Sequence, residues 1–250
     1  SLRPEGTAGV VRAAISSGLL NGALPSKLCY ILSCFRNERP QAGRFKEFHQ
    51  FGAELFGSAS PVADVELISM ANDYFSQLGI EGLELEINSI GCARCRERYK
   101  EALILYFEKR KEKLCDSCKE RLVQNPLRLL DCKNPSCKEE AKDAPEILEY
   151  LCDDCADHFK KVLNGLDSVG IEYRVNPRIV RGLDYYNRTV FEFVSGHSGA
   201  QSALCGGGRY DSLVENMGGS KTPALGFAVG LERLLMIMTA IKSPLLGKQD

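Results

Sequence analysis

The stretch Arg181-Gly182-Leu183-Asp184-Tyr185-Tyr186 precedes residues 189–193, which are predicted to form a strand. It places a guanidinium, a carboxylate and two phenols within six residues, beside a glycine that lets backbone approach a ligand closely. Arginine offers a rigid fork of donors for carboxylate or phosphate, and tyrosine offers an apolar face with one hydroxyl. The set suits a small anionic ligand that carries a ring. Adjacent tyrosines at a strand edge are also common as core and rim residues, so both interpretations stay open.

Length and charge set broad limits on function. The chain has 250 residues, a net charge of −1 and 26% charged residues, enough for one large domain or a domain with an insertion. The balanced charge gives no whole-chain reason to expect nucleic acid or an anionic membrane as partner, so tRNA binding would depend on local basic loops. No run of 18 apolar residues and no secretion signal occur, so we predict no membrane-spanning helix and a cytoplasmic location.

Two predicted strands, residues 28–34 and 47–56, form a long antiparallel hairpin. We expect the first strand to be buried because it is apolar. The connecting loop, residues 35–46, carries four cations against Glu38: Arg36, Arg39, Arg44 and Lys46. A loop of this length usually has a function, although a solvated, charged tip is the simpler interpretation.

Helix-start signals and alternating patterns define the other elements. The predicted elements are a helix over residues 8–19 with Thr7 as its N-cap, a helix from Pro61 to Gly79 with Ser60 as its N-cap, a strand over 83–87 with one exposed face, a strand over 171–175, and a strand that runs into a helix over 224–234. Gly206-Gly207-Gly208 is either a tight turn or a place where backbone touches substrate. Arg233 opposes the dipole of the last helix, which suggests an anionic partner. Strands joined by hairpins, with runs of helices between them, predict an α+β fold in which helices flank an antiparallel sheet.

Eight of the eleven cysteines lie in four pairs: Cys92 and Cys95, Cys115 and Cys118, Cys132 and Cys137, Cys152 and Cys155. A disulfide framework is one interpretation, but short paired spacings in a charged, helix-rich chain favour structural zinc bound by thiolates. Four pairs can be combined into two four-cysteine sites in three ways. One of these joins the first pair to the second and the third pair to the fourth. Whether the cysteines bind zinc also stays open. The other three cysteines, Cys29, Cys34 and Cys205, are expected in the core.

The cysteine-rich segment is predicted to be a mostly helical insertion into the sheet domain. Its first helix is expected over residues 94–113, and a second helix enters at Asp143-Ala144-Pro145. The segment from Cys92 to Cys155 holds 14 basic and 14 acidic residues, which argues against a dedicated nucleic-acid clamp. The organisation is therefore a first core part (1–88), an insertion (89–165) and a second core part (166–250).

Four separated segments carry a family resemblance. Residues 181–186, residues 35–41 with 48–50, residues 226–233 and residues 2–7 occur in the order found in histidyl-tRNA synthetases. The second and third of these segments resemble motifs 2 and 3 of class II aminoacyl-tRNA synthetases. The match covers nearly the whole chain and is similar to the catalytic domain of bacterial-type members.

The resemblance implies an ATP- and Mg-dependent ligase that forms histidyl-adenylate and transfers histidine to tRNA(His). The implied catalytic residues are Arg36, Arg181 and Arg233. The implied ATP-binding residues are Arg36, Glu38, Arg44, Phe48 and Arg233. The implied histidine-binding residues are Glu5, Gly6, Thr7, Gln50, Glu54, Arg181, Tyr185, Tyr186 and Tyr210. Glu54 and Tyr186 would meet the two imidazole nitrogens, and Gln41 would face the acceptor end of the tRNA.

Departures from the family leave alternatives open. Motif 1 and the anticodon-binding domain are not among these residues, so we expect a catalytic fragment of a longer, homodimeric protein. The main alternative is the non-catalytic, histidine-sensing regulatory subunit of ATP phosphoribosyltransferase, a paralogue that usually lacks Arg36, Arg233 and the insertion. A nucleic-acid-binding module built on the cysteine-rich segment is a third interpretation, and the balanced charge there weighs against it.

Overall fold

A computed structural model describes residues 2–37, 43–130, 132–179, 184–195 and 203–247. Within these ranges, no helix is both long enough and apolar enough to cross a bilayer. The strands are β1 (Ser26–Phe35), β2 (Glu47–Phe56), β3 (Leu83–Ser89), β4 (Arg174–Val175), β5 (Asn187–Ser195), β6 (Ala203–Arg209) and β7 (Ala224–Gly230). The helices are α1 (Thr7–Ser16), α2 (Pro61–Gln77), α3 (Ala93–Glu108), α4 (Asp116–Gln124), α5 (Pro135–Ala141), α6 (Asp153–Ser168), α7 (Leu213–Asn216) and α8 (Leu231–Ala240).

The strands form one sheet in the order β1-β2-β7-β6-β5-β3-β4. Every neighbouring pair is antiparallel except β3 and β4, which are parallel. The predicted α+β class, with helices flanking an antiparallel sheet, is confirmed. Strands β1 and β2 pair in register from Ser26 opposite Phe56 to Phe35 opposite Glu47. The predicted antiparallel hairpin is therefore confirmed.

The two faces of the sheet differ in chemistry because side chains alternate along each strand. One face packs on α2, α6 and α8 around a cluster that includes Leu55, Phe191 and Phe227. The residues between these positions point to the opposite face, where Glu54 and Glu192 lie. The sheet therefore separates this core from a second face, where buried polar groups lie beside a smaller apolar cluster that includes Val11, Phe56 and Val190.

Several predicted element boundaries are wrong for local reasons. Thr7 is the first residue of α1 rather than its N-cap; Glu5 accepts the Ala8 N–H instead, at 3.0 Å. No α-helix starts at Pro145: a 3₁₀ turn spans Ile147–Tyr150, and the next helix, α6, begins at Asp153. In contrast, Ser60 caps α2 as predicted, accepting the Val62 N–H at 3.3 Å.

β1 is an edge strand and not the buried strand that its apolar sequence predicts. Its residues alternate in exposure, and Ile31 is 70% exposed. Cys29 is likewise exposed, so its predicted place in the core is wrong, whereas Cys34 and Cys205 are buried as predicted. Strand β3 is more buried than predicted. Its alternating sequence predicts that Glu86 is exposed, but Glu86 is buried and accepts hydrogen bonds from Arg174 and Asn176.

The three consecutive glycines lie inside β6 and not in a tight turn. A Cβ on Gly207 would lie 2.5 Å from the Gly226 oxygen of β7, and a Cβ on Gly208 would lie 2.5 Å from the Thr189 oxygen. The glycines therefore allow β6 to fit between its neighbours, and Gly206 lines the cavity described below.

The insertion has its own small core. Tyr99, Leu103 and Phe107 of α3 pack with residues of α4 and the following turns in a separate cluster. Helix α6, in contrast, places Phe159, Val162 and Leu166 in the cluster under the sheet.

A buried ionic network joins β6 to α2 and α6. Arg209, which is fully buried, donates from Nε to both Asp64 oxygens (3.0 and 2.9 Å) and from Nη2 to Asp64 Oδ2 at 2.6 Å. His158 Nε2 lies 3.3 Å from Asp64 Oδ2. Burial raises the pKa of Asp64, but the His158 ring and the Arg209 guanidinium outweigh it and hold this pKa below its ordinary value. The network therefore depends on all of its members.

We expect Arg209→Met to lower the free energy of unfolding by about 3–5 kcal/mol, because it leaves the Asp64 carboxylate buried beside an apolar side chain. Adding Asp64→Leu should recover part of this loss. Urea unfolding followed by circular dichroism measures both values. The control is Lys27→Met at the exposed Lys27–Glu66 pair, where a change below about 1 kcal/mol is expected. An Arg209→Met protein as stable as this control would contradict the prediction.

Candidate functional site

The polar face of the sheet centres on Glu54 of β2. Its side chain is 1% exposed and accepts a hydrogen bond from the Thr7 hydroxyl at 2.7 Å and another from the Tyr210 hydroxyl. Burial raises the pKa of Glu54 to about 8, although the bonds from Tyr210 and Thr7 work in the opposite direction. A carboxyl group in this setting readily exchanges a proton near neutral pH.

Strand register makes the space that Glu54 occupies. Glu54 pairs with Gly226 of β7, and a Cβ on Gly226 would lie 1.6 Å from Glu54 Oε2. Two residues earlier, Gly52 pairs with Tyr30 of β1, and a Cβ on Gly52 would lie 2.3 Å from the Tyr30 ring. Glu54 and Tyr30 thus lie flat on the sheet opposite glycines, and we call the buried group of polar side chains around them the Glu54 pocket.

Tyrosines form the walls of this pocket. The rings of Tyr185 and Tyr186 lie 4.6 Å apart, and that of Tyr210 lies 5.7 Å from Tyr185 and 6.4 Å from Tyr186. Burial raises the pKa of both Tyr185 and Tyr210, and the Glu54 charge adds to the rise at Tyr210. The phenols are therefore neutral hydrogen-bonding groups throughout the physiological range of pH.

The sequence analysis missed Tyr30. Burial, followed by the charge of Glu54, raises the pKa of Tyr30. Its hydroxyl oxygen is buried and has no hydrogen-bond partner of good geometry among the described residues. A large residue opposite Gly52 in the predicted hairpin was the available signal.

Residues at the start of the chain close one side of the pocket. The Gly6 N–H donates to Gln50 Oε1 at 2.9 Å, and a Cβ on Gly6 would lie 2.2 Å from the Tyr30 ring. The Glu5 carboxylate faces the N-terminal turn of α1 and also lines the neighbouring cavity. The structure thus brings together eight of the predicted histidine-binding residues or places them at the pocket rim: Glu5, Gly6, Thr7, Gln50, Glu54, Tyr185, Tyr186 and Tyr210.

Beside the pocket lies a cavity of about 540 Å³ whose lining includes three arginines and three glutamates. Three predicted ATP-binding arginines line it: Arg36, Arg44 and Arg233. Burial lowers the pKa of Arg233, and the charges of Arg36 and Arg44 lower it further. Three guanidinium groups in one cavity can bind anionic groups, although Glu5, Glu192 and Glu232 line the same cavity and balance their formal charge.

The predicted base-stacking residue, Phe48, also lines the cavity. The Arg36 guanidinium lies over its ring, 3.6 Å from the centroid. A base that stacks on Phe48 must therefore use the opposite face of the ring or displace Arg36.

Two carboxylates in the cavity were not predicted. Glu232 accepts the His49 backbone N–H at 2.7 and 3.0 Å and contacts the His49 ring at 2.8 Å, which ties α8 to β2. Glu192 of β5 lines the same cavity, and its negative charge favours the charged form of Arg233. Glu232 lies inside the segment that resembles motif 3, whereas Glu192 lies outside all four of the resembling segments. Three predicted site residues, Arg181, Glu38 and Gln41, lie outside the described residues.

The cysteine pairs form two four-thiol sites. Cys92, Cys95, Cys152 and Cys155 make the junction site, where the insertion leaves and re-enters the sheet domain. Cys115, Cys118, Cys132 and Cys137 make the distal site. The combination that joins the first pair to the second is therefore wrong, because α3 and α6 begin side by side and bring together cysteines that are 60 residues apart. The sequence gives spacings within pairs but no information about such a long-range contact.

The thiols of each site have the spacing of a metal site. The Cys92–Cys95 and Cys92–Cys152 sulfurs lie 3.5 and 4.0 Å apart, and the Cys115–Cys132 sulfurs lie 3.9 Å apart. Tetrahedral zinc with Zn–S bonds of about 2.3 Å requires a separation of about 3.8 Å. All described cysteines are free thiols. A multi-iron cluster would need the four sulfurs further apart, since they bind different irons.

Backbone N–H groups support negative charge on these sulfurs. The Cys152 N–H donates to Cys95 Sγ and the Cys115 N–H donates to Cys137 Sγ, each at 3.2 Å. Burial raises the pKa of Cys92, but N–H groups of Cys95 and Arg94 and the Cys95 thiol outweigh it and lower this pKa to about 6. The chemistry and geometry of both sites fit a bound divalent metal.

Comparison with known proteins points to one family. The sequence profile of the histidyl-tRNA synthetase family matches residues 1–234. Histidine–tRNA ligase of Acetivibrio thermocellus is 52% identical over 252 residues, a match that covers the whole of this chain and 60% of the relative. The corresponding ligase of Caldicellulosiruptor saccharolyticus is 52% identical over 96% of this chain and 57% of its own length. The chain thus spans about three-fifths of the length of these relatives.

Solved structures show the same fold. Apo histidyl-tRNA synthetase of S. aureus superposes with a TM-score of 0.76 at 36% identity, over 95% of this chain and 57% of its own. A protein of Bacillus halodurans described as an ATP phosphoribosyltransferase regulatory subunit/histidyl-tRNA synthetase superposes with a TM-score of 0.67 at 25% identity, over 94% and 64% of the two chains. From the profile match and the identity over its full length, this chain belongs to the histidyl-tRNA synthetase family.

Proposed function

We propose that the protein activates histidine with ATP to form histidyl-adenylate and pyrophosphate, and then transfers histidine to tRNA(His). The observation that carries the proposal is the position of the three-arginine cavity directly beside the pocket around Glu54, with Glu5 and Gln50 near their border. Attack of a carboxylate on a phosphate brings two anions together, so neutralisation of charge is the main requirement of the reaction. The arginines meet that requirement.

The pocket around Glu54 suits an imidazole side chain. A neutral imidazole carries one N–H donor and one acceptor nitrogen. The Glu54 oxygens keep lone pairs besides those used by Thr7 and Tyr210, so the carboxyl group can accept the ligand N–H, a bond that favours its ionised form. A phenol such as Tyr186 can donate to the other nitrogen. A side chain that lacks these groups would leave Glu54 poorly paired, which gives strong discrimination.

In the cavity, we assign ATP to the arginines and one Mg ion to the carboxylate of Glu192. Arg36 would contact the α-phosphate and Arg233 the γ-phosphate, and Phe48 would stack on adenine. Carboxylate oxygens are the ligands that Mg prefers, and bound Mg would neutralise phosphate charge. Arg181, Glu38 and Gln41 keep the roles that the family resemblance implies: the reacting carboxylate, ATP and the tRNA acceptor end.

The regulatory-subunit alternative is less well supported. Arg36 and Arg233 are both present and share one cavity, and the insertion is folded around its own core. The relatives at 52% identity are named as ligases.

We infer a cytoplasmic homodimer, and the exposed edge strand β1 offers a surface for pairing. We also place the end of the insertion before α6, and not at residue 165, because α6 belongs to the sheet core.

We further propose that the junction and distal sites each bind one structural zinc ion through four thiolates. The sulfur separations and the N–H···S bonds support this assignment. Zinc would supply two positive charges to each set of thiols and hold distant chain segments together.

Arg233→Ala is expected to reduce histidine-dependent ATP–pyrophosphate exchange by at least about 100-fold, since it removes a preorganised cation from the phosphates. The exchange should be measured on purified protein that contains these residues. Arg128→Ala, an exposed arginine of the insertion, is the matched control and should retain exchange. An Arg233→Ala protein with exchange within twofold of the parent contradicts the assigned role. A parent that binds histidine but shows no exchange would favour the regulatory alternative.

The raised pKa of Glu54 predicts a pH-dependent stability difference. The folded state keeps the Glu54 proton up to about pH 8, whereas the unfolded state releases it above its ordinary pKa of about 4.5. The stabilisation from this proton is fully present below pH 4.5 and is lost as the pH rises through 8. The side-chain amide in the Glu54→Gln variant does not titrate. Between pH 4.5 and 8, the free energy of unfolding of the parent should therefore fall relative to that of the variant by up to about 1.4 kcal/mol per pH unit. Urea unfolding of both proteins between pH 5.5 and 8 measures it.

A difference that stays constant across that range would show that Glu54 has no raised pKa. Glu66→Gln, which removes a half-exposed carboxylate of α2, is the control for the loss of one acidic group.

Elemental analysis of the purified protein is expected to give two zinc ions per chain. Cys115→Ser should lower this to one, because the distal site loses a ligand while the junction site remains. Iron in place of zinc, or a protein free of metal with full thermal stability, would overturn the zinc assignment.

A further inference from the structure

The junction site lies between the insertion and the proposed histidine pocket. Cys92 is the N-cap of α3 and Cys152 is the N-cap of α6, so the site holds the first turns of both helices. Residues next to these cysteines contact the segment 184–188, which overlaps the end of the stretch 181–186 and carries Tyr185 and Tyr186. The distal site, in contrast, belongs to the core of the insertion, where Cys118, Cys132 and Cys137 are buried.

Two backbone hydrogen bonds fix the chain at Arg188. The Ile90 N–H donates to the Arg188 oxygen at 2.8 Å, and the Arg188 N–H donates to the Gly91 oxygen at 2.9 Å. Gly91 immediately precedes Cys92, and a Cβ on Gly91 would lie 2.4 Å from Cys95 Cβ. Arg188 itself has a φ of 51°, a left-handed conformation that costs a non-glycine residue energy. The contacts with the junction hold it there.

Two side-chain contacts complete the connection. Arg96, one residue after Cys95, donates from Nη1 to the backbone carbonyl oxygen of Tyr186 at 3.1 Å. Arg188 Nη1 lies 3.1 Å from His158 Nδ1, and His158 is three residues after Cys155 on α6. Both helices held by the junction site therefore contact the segment 186–188. The Tyr186 ring is 5% exposed and packs in the wall that faces Glu54.

We propose that zinc in the junction site positions the Tyr185–Tyr186 wall of the histidine pocket, with Arg96 as the positioning residue between them. This inference rests on the proposed function. Loss of the metal lets the first turns of α3 and α6 separate, which moves the Arg96 guanidinium from the Tyr186 oxygen and loosens the wall. Histidine affinity falls as a result, while the arginine cavity for ATP is little affected.

The test compares histidine affinity, ATP affinity and zinc content in four single variants and the parent, using isothermal titration calorimetry and elemental analysis. Arg96→Ala is expected to keep two zinc ions and to weaken histidine binding about 10-fold, the size of one lost hydrogen bond to a charged group. Arg96→Lys, which retains one donor, should recover part of the affinity. Cys152→Ser should lose one zinc and weaken histidine binding to a similar extent, with ATP affinity within twofold of the parent.

Cys137→Ser is the matched control, since it should also lose one zinc yet bind histidine within twofold of the parent. A junction variant that lacks one zinc and binds histidine like the parent overturns the proposal. If Cys152→Ser does not fold, the two Arg96 variants provide the test. Unchanged histidine affinity in Arg96→Ala overturns the proposal. Weaker histidine binding in Arg96→Ala that is partly restored in Arg96→Lys supports it. A parent protein that binds no histidine would instead overturn the proposed function, and this inference with it.

Discussion

The pairing of Glu54 with Gly226 is the constraint on which the rest of the site depends. A carboxyl group can lie flat on the middle of a sheet only where the neighbouring strand has no side chain at that position, and Gly226 meets this condition. A slip of one residue between β2 and β7 would turn Glu54 into the hydrophobic cluster. The packing of Leu55 and Phe227 on α2 and α8 therefore fixes the register, and the register fixes the site.

Local signals predicted the parts of the fold that depend on local chemistry. Ser60 followed by Pro61 marked the start of α2, and the two runs flanking the basic loop marked the β1–β2 hairpin. The family motifs identified the residues around Glu54 and the arginine cavity. Contacts between distant segments were not predictable in this way. The Arg209–Asp64 pair and the joining of Cys92 with Cys152 arise from packing between segments that are at least 60 residues apart in sequence.

Burial and like charges in the arginine cavity cost stability. Arg233 lies in the first turn of α8, where the helix dipole disfavours a cation, and Arg36 and Arg44 add repulsion. Part of this cost is offset within the protein, because Arg233 donates to the Ala203 oxygen and Glu192 supplies a nearby negative charge. An anion that bound between these arginines would relieve the repulsion, so the proposed ATP binding would also stabilise this region.

The cysteine sites follow from the size of the insertion. A segment of about 60 residues rarely buries enough apolar surface to be stable by itself, and metal sites commonly make up the difference. Three of the buried residues in its cluster are cysteines of the distal site, so the metal there would replace part of a core. The junction site has a different place, since its ligands begin the helices that enter the sheet domain. Metal at the distal site would stabilise the insertion, whereas metal at the junction would also orient the insertion against the proposed histidine pocket.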